Sequence, residues 1–227
     1  MKNLIRILLL CLIPFAHSSD NLIYITQSGS GLTLTVDQIG TNNSVGTSQT
    51  RATFGGSSQT IDIDQVGGSN ALVASILQGN STSWTYNVTG DSNSGTFAVG
   101  GTGDVANTDF DYAATGDSNI LLFTQGAAAT ATTGNQDFAI TGSSNDINAT
   151  CEVVGCINNW TISGSSNDID TTQTGNADHS ITATITGSTN NIDVDQTSTG
   201  GSTKDILVIT STTSNGTIDI DQCASGC

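Results

Sequence analysis

Hydrophobic and polar residues alternate with a period of two along most of the chain, in short runs separated by one recurrent turn. The turn is Gly-x-x-Asn, at Gly40/Asn43, Gly67/Asn70, Gly90/Asn93, Gly116/Asn119, Gly142/Asn145, Gly164/Asn167 and Gly187/Asn190. An eighth copy at Asn215 lacks the glycine. Successive asparagines are 27, 23, 26, 26, 22, 23 and 25 residues apart, as expected of equivalent units joined by loops of unequal length. Two and four residues before the glycine stand Val88 and Tyr86, Ala114 and Tyr112, Ile140 and Phe138, Ile162 and Trp160, Ile185 and Ala183. The residue directly before it is Thr89, Thr115, Thr141, Ser163 or Thr186. Apolar and hydroxyl side chains therefore take opposite faces of a half-buried strand.

The segment after the turn repeats the alternation. Two beyond the asparagine lies Val45, Leu72, Leu121, Ile147, Ile169 or Ile192, with Gly95 the exception. Six beyond lies Gln49, Gln125, Gln173 or Gln196, with Cys151 once in that slot. An even offset puts these glutamines on the apolar face, whereas Asp146, Asp168, Asp170, Asp193 and Asp195 fall on odd positions and face water. Asn21 to Gln27 repeats this second strand alone. The pattern predicts an all-β chain: a β-solenoid of about eight stacked strand–turn–strand rungs, roughly Leu32 to Gln222, preceded by an N-terminal half rung. A rung this short buries no core alone, so stacking on its neighbours must supply the burial. A β-sandwich with polar strands is the competing architecture, but it needs no single turn motif at a fixed spacing.

Composition narrows the function classes. Of 227 residues, 20 are acidic and 4 basic, for a formal charge of −16. Two of the basic residues, Lys2 and Arg6, open a segment with a short apolar run, Ile7 to Phe15, and small residues at Ala16 and Ser18. Met1 to Ser18 thus reads as a secretory signal peptide, with residues 19–227 as a single exported domain. Leu10 is bulky where lipidation at Cys11 would need a small residue. Cleavage leaves Arg51 and Lys204 against the 20 acidic residues. Such a chain cannot neutralise a phosphate backbone, so nucleic acid is not an expected partner. The scarcity of Glu, Lys and Arg disfavours a helical bundle. No other run approaches a transmembrane length.

From Leu32 to Gln49 the chain reads LTLTVDQIGTNNSVGTSQ, which resembles the curlin repeat: alternating aliphatics, Gln-x-Gly-x-x-Asn, a small residue and a closing Gln. Ile61 to Asn70 repeats the first half, with Gln78 as a closing Gln two residues late. The Gln two before the turn glycine occurs only as Gln38 and Gln65. The resemblance implies a secreted β-solenoid whose inward Gln and Asn stack as ladders. It also implies a subunit that assembles end to end with its own kind into extracellular amyloid fibres serving adhesion and biofilm, in contact with a cell surface or matrix. The ladder positions are then Gln27, Gln38, Asn43, Gln49, Gln65, Asn70, Gln78, Asn93, Asn119, Gln125, Asn145, Asn167, Gln173, Asn190, Gln196, Asn215 and Gln222. Physically, an amide inside a stack can bond to its copies above and below. Asn suits a tight turn, and Gly supplies positive φ where it is required. The alternative is a capped monomeric solenoid that binds a cation, glycan or ice on an outer face.

Four cysteines follow the leader. Cys151 and Cys156 lie three rungs, or ~14 Å, from Cys223 and Cys227, beyond the ~7 Å reach of a disulfide. Local pairs Cys151–Cys156 and Cys223–Cys227 are therefore expected, and the same separation argues against a shared zinc site. Asp178-His179-Ser180 sets three catalytic residue types side by side, but strand geometry sends neighbours to opposite faces, and His179 reads as a loop or surface residue. With no phosphate-binding or zinc-protease motif, no enzyme and no cofactor are expected. Asp170, Asp193 and Asp219 should stack on one outer face, read as a solubilising surface rather than a calcium site. Thr161-x-Ser163 and Thr184-x-Thr186 resemble an ice-binding array that Ala113 and Ala139 interrupt.

Overall fold

The computed structural model describes residues 21–40, 42–46, 51–100, 105–126, 133–176, 179–198 and 205–224. The expected leader, Gln49, Asp178, Cys227 and the side chain of Gln78 lie outside the described residues.

Each unit contributes one strand before the turn and one after it, and the two sets form separate parallel sheets. The leading sheet stacks Thr33–Ile39, Thr60–Val66, Ser83–Thr89, Thr108–Thr115, Gly134–Thr141, Cys156–Ser163, Ser180–Thr186 and Ile206–Thr212 in chain order. The trailing sheet stacks Asn21–Ile23, Asn43–Val45, Ser69–Asn80, Ser92–Val99, Ser118–Gln125, Ser144–Cys151, Ser166–Gly175, Thr189–Ser198 and Asn215–Ala224. Thr26–Ser28, Ala52–Gly55 and Val105–Ala106 pair at its margin. Parallel strands need a crossover between neighbours. Here the opposite sheet is the crossover, so the chain winds as a β-solenoid without a helix among its described residues. The eight leading strands and the extra trailing strand match the eight rungs and half rung that the period predicts.

Alternation decides which face is inside. Asp, Glu, Lys and Arg are absent from the buried residues described, and the inner columns are aliphatic, aromatic and amide. Through the middle rungs the core is aromatic: Phe97 and Phe110 lie 4.6 Å apart, Phe110 and Phe123 4.6 Å, and Phe138 stacks on Trp160 at 5.4 Å. From Ile162 onward it is aliphatic, through Ile169, Ile181, Ile185 and Ile192. Gly95 breaks the aliphatic column because the Phe97 ring already fills that space, 2.7 Å from where a Cβ would sit.

Candidate functional site

The features that distinguish this stack are its amide columns, its acidic outer faces and its two ends. The asparagine column runs along the turn edge. The Nδ2 of Asn70 donates to Oδ1 of Asn93 at 2.9 Å, and the chain continues through Asn119, Asn145, Asn167 and Asn190 at 2.7–2.8 Å. Asn21 of the half rung donates to Asn43 at 2.9 Å, but this pair stands apart from the run, since Asn43 Nδ2 turns to the Gln38 and Val66 carbonyls and Asn70 Oδ1 accepts no hydrogen bond among the described residues. The same Nδ2 also reaches the carbonyl before the next rung's glycine: Asn93 to Thr115, Asn119 to Thr141 and Asn145 to Ser163, at 3.0–3.1 Å. Those carbonyls also accept the N–H of Gly90, Gly116 and Gly142 in the rung below, at 2.9–3.0 Å. One side chain thus satisfies part of the turn backbone as well as its own neighbour.

Crowding from this arrangement is why the turn needs glycine. A Cβ on Gly116 would lie 2.0 Å from the Gly90 carbonyl oxygen and 2.6 Å from Asn93 Nδ2; on Gly142 it would lie 2.3 Å from Gly116 O. Of the seven turn glycines only Gly40 has positive φ, at 149°. Close approach, rather than left-handed backbone, is therefore the requirement at the other six. Asn215 stands outside the column. The register sets it opposite Thr189 and sets Gly216 opposite Asn190, where a Cβ would meet Asn190 O at 2.3 Å. Asn190 turns instead to Ser211 Oγ and the Thr212 carbonyl. Counting six back from Gln222 gives Gly216, a signal that the sequence already contains.

The glutamine column at the far edge is broken. Register aligns Gln27, Phe54, Ile76, Val99, Gln125, Cys151, Gln173, Gln196 and Gln222. Among the described residues, only Gln196 to Gln173, at 2.8 Å, and Gln222 to Gln196, at 3.0 Å, form direct amide-to-amide steps along it. Gln78 is out of the column: a bulge beside Gly55 sets the two opposite each other, and Ile76 takes the slot. Elsewhere amides on the leading strands, absent from the predicted ladder, reach across the rung. Gln136 donates to Gln125 Oε1 at 3.0 Å, and Gln59 to Gln27 Oε1 at 3.2 Å. Gln65 donates to Gln38 at 2.6 Å, and the Tyr86 hydroxyl closes that short run by donating to Gln65 Oε1. Burial holds the Tyr86 and Tyr112 hydroxyls well above the usual phenol range.

The Cys151–Cys156 disulfide forms as expected, with Cα atoms 6.4 Å apart, and both residues are buried with Val153. Cys223 is also disulfide-bonded. His179 is not a surface residue: its side chain is 0% exposed, and its Nδ1 accepts the backbone N–H of Cys156 at 3.3 Å. Its even offset from the inward Ile181, Ala183 and Ile185 places it on the inner face.

The outer faces carry the charge. Asp170, Asp193 and Asp219 align across three rungs, and Asp195 aligns with Asp221. Lost hydration, then the carboxylates of Asp193, Asp221, Asp170 and Asp219, push Asp195 above the ordinary aspartate value. Asp111 is raised by partial burial and then by Asp109 and Asp137, and Asp62 by partial burial and then by Asp64 and Asp37. Carboxylate oxygens of Asp109, Asp111 and Asp137 lie within 4.8 Å of one another. Asn135 bonds to Asp109 and Asp137, and Asn159 to Asp137. Beside them a shallow groove of about 530 Å³ passes over Ala113 and Ala139 towards Thr161 and Thr184. The hydroxyl pairs Thr161-x-Ser163, Thr184-x-Thr186 and Thr210-x-Thr212 align, while Ala113 and Ala139 interrupt the first column.

At the C-terminal end the inner residues Ile218 and Ile220 are 49% and 44% exposed, although Ile192 and Val194, their partners one rung below, are 1% exposed. At the other end Leu34 and Val36 are only partly buried. Among the described residues no strand pairs beyond Thr33–Ile39 and Asn21–Ile23 at one end, or beyond Ile206–Thr212 and Asn215–Ala224 at the other. No described helix is long and apolar enough to cross a membrane. Comparison with protein-family models, curated proteins and solved structures found no match to this chain.

Proposed function

We propose that this chain is an extracellular structural subunit that assembles end to end with further copies of itself, in the manner of the curlin-repeat proteins that its first rungs resemble. The observation that carries this reading is the pair of open ends. Ile218 and Ile220 occupy inner columns yet are about half exposed, and among the described residues no strand pairs with the outer edge of Asn215–Ala224. Such an edge templates another strand. Continuing the rung register would lay Ile23 and Ile25 of a second copy on Ile218 and Ile220, and its Gln27 on Gln222. The junction would set Asp219 opposite Tyr24 and Asp221 opposite Thr26, so no carboxylate would face another there. Export follows from the signal peptide expected at Met1 to Ser18.

Incubation of the purified chain, followed by thioflavin fluorescence and electron microscopy, tests this reading. Unbranched thioflavin-positive filaments are expected. A chain that stays monomeric at every concentration, salt and pH would overturn it. That outcome favours a second reading, an outer-face binder, for which the groove over Ala113 and Ala139 beside Asp109, Asp111 and Asp137 is the specific observation.

A further inference from the structure

We propose that the pair Asn215 and Gly216, on the open C-terminal strand, is a self-modification site, at which Asn215 closes onto the Gly216 nitrogen as a succinimide and opens to aspartate or isoaspartate. It is the sole Asn-Gly pair in the 227 residues, and the reaction needs no second copy of the chain. Ring closure requires an accessible side-chain amide, a following nitrogen that is free to attack, and little bulk beside that nitrogen. Asn215 and Gly216 are both exposed. Displacement of Asn215 by one residue from the asparagine column supplies the nucleophile. Alternate residues of a parallel strand bond to opposite sides. The Asn215 N–H donates to the Ser188 carbonyl in the rung below at 2.9 Å, so the Gly216 N–H points to the other side, where no described strand pairs. Glycine brings no side chain to crowd the approach. As the first residue of its strand, Asn215 can turn out of the extended backbone without opening a rung.

The turn also steadies the reacting charge. The attacking form is the deprotonated peptide nitrogen, whose negative charge is shared with the Asn215 carbonyl oxygen. The Thr213 hydroxyl donates to that oxygen at 2.7 Å, closer than its 3.1 Å alternative at the Ser188 carbonyl. A donor already aimed at developing charge lowers the barrier. Gly216 gives its proton to water or hydroxide and its nitrogen attacks Cγ of Asn215, and ammonia leaves with a proton from solvent. Water then opens the ring at Cγ to give aspartate, or at the main-chain carbonyl to give isoaspartate. The net exchange is one water taken up for one ammonia released. Both products add a carboxylate to the end strand, and isoaspartate also lengthens its backbone by a methylene, which disturbs the register. Other asparagines lack one requirement or another. Asn167 and Asn190 of the column are buried with Nδ2 bonded. Asn148 and Asn191 are exposed, but the residues that follow them, Ala149 and Ile192, carry side chains and pair with the strand stacked above.

Ageing the purified full chain at mildly alkaline pH, with and without guanidinium, tests the site. Trypsin cleavage after Lys204, with the cysteines reduced, isolates residues 205–227, in which Asn215 is the only asparagine. From the folded chain this peptide is expected to gain about one dalton and an isoaspartyl linkage, at a rate within about tenfold of that in guanidinium. Asn215→Gln should abolish the gain, because a longer side chain closes its ring far more slowly. Thr213→Val should slow it several-fold in the folded chain and leave the rate in guanidinium unchanged. A gain seen only in guanidinium, or no gain at Asn215 at all, would overturn the proposal. Equal folded-state rates for wild type and Thr213→Val would overturn the part given to the Thr213 hydroxyl.

Discussion

The two edges of the solenoid obey different rules. At the turn edge one asparagine follows another from Asn70 to Asn190, each step a hydrogen bond of 2.7–2.9 Å. At the far edge the equivalent column passes through Gln27, Phe54, Ile76, Val99, Gln125, Cys151 and Gln173. The turn edge is strict because each asparagine feeds a backbone carbonyl of the next rung as well as the next side chain, and the glycine below leaves no room for a Cβ. Far-edge glutamines reach backbone carbonyls only through longer bonds, Gln173 to Ser180 and Gln196 to Ile206 at 3.4 Å and Gln222 to Asp205 at 3.2 Å, and apolar residues fill the slot in other rungs. Repetition is enforced where a side chain and the backbone depend on each other.

The sharpest way to break this contrast is to add one methyl group. Gly142→Ala should destabilise by about 2–3 kcal/mol through backbone overlap. Gly68→Ala, with nothing within 4 Å of the new atom, should cost nothing measurable in urea unfolding. Equal costs would show that conformational freedom, not crowding, selects glycine here.

Next come the amides. Asn119→Ala leaves the Asn93 Nδ2 and the Asn145 Oδ1 each short of a bond, and should cost about 2–3 kcal/mol. Gln173→Leu removes the acceptor of Gln196 and one long 3.4 Å donation to the Ser180 carbonyl, and should cost about 1 kcal/mol. A larger loss at Gln173 would reverse the ranking of the edges. Reducing Cys151–Cys156, which closes a five-residue separation at the far edge, should lower stability by about 2 kcal/mol, read as a shift in thermal midpoint.

Much of this was legible in the sequence, because each rung repeats in register and parity alone assigns faces. The period, the inward Ile169 and Ile192, the outward Asp170 and Asp193, and the local Cys151–Cys156 bridge all follow from it. What escaped were places where spacing and parity disagree with residue type. Asn215 has the chemistry of the column but stands one residue early, while Gly216 holds the slot. His179 looks polar, but its parity is inward. Gln136 and Gln59 bond across the rung to the opposite sheet, a direction that a pattern within one strand cannot reveal.

The smallest expected effect concerns the outer faces. Asp62, Asp111 and Asp195 are held above the ordinary aspartate value by burial and by neighbouring carboxylates, so each opposes the folded state when ionised. Their contribution is favourable below pH ~4 and is lost as pH rises through the raised values. The Asp62→Asn, Asp111→Asn, Asp195→Asn triple variant should therefore gain thermal midpoint at pH 7 and little at pH 3.5.

The open C-terminal end is where the whole account can be struck most directly. Elongation of preformed filaments, followed by thioflavin, should proceed with wild-type chain and stall with Ile218→Lys, Ile220→Lys chain, whose inner face then presents charge to the next copy. Asp219→Asn, Asp221→Asn on the same strand should elongate at least as fast as wild type. Equal elongation by the lysine variant, or no elongation by any chain, would contradict end-to-end stacking through this rung.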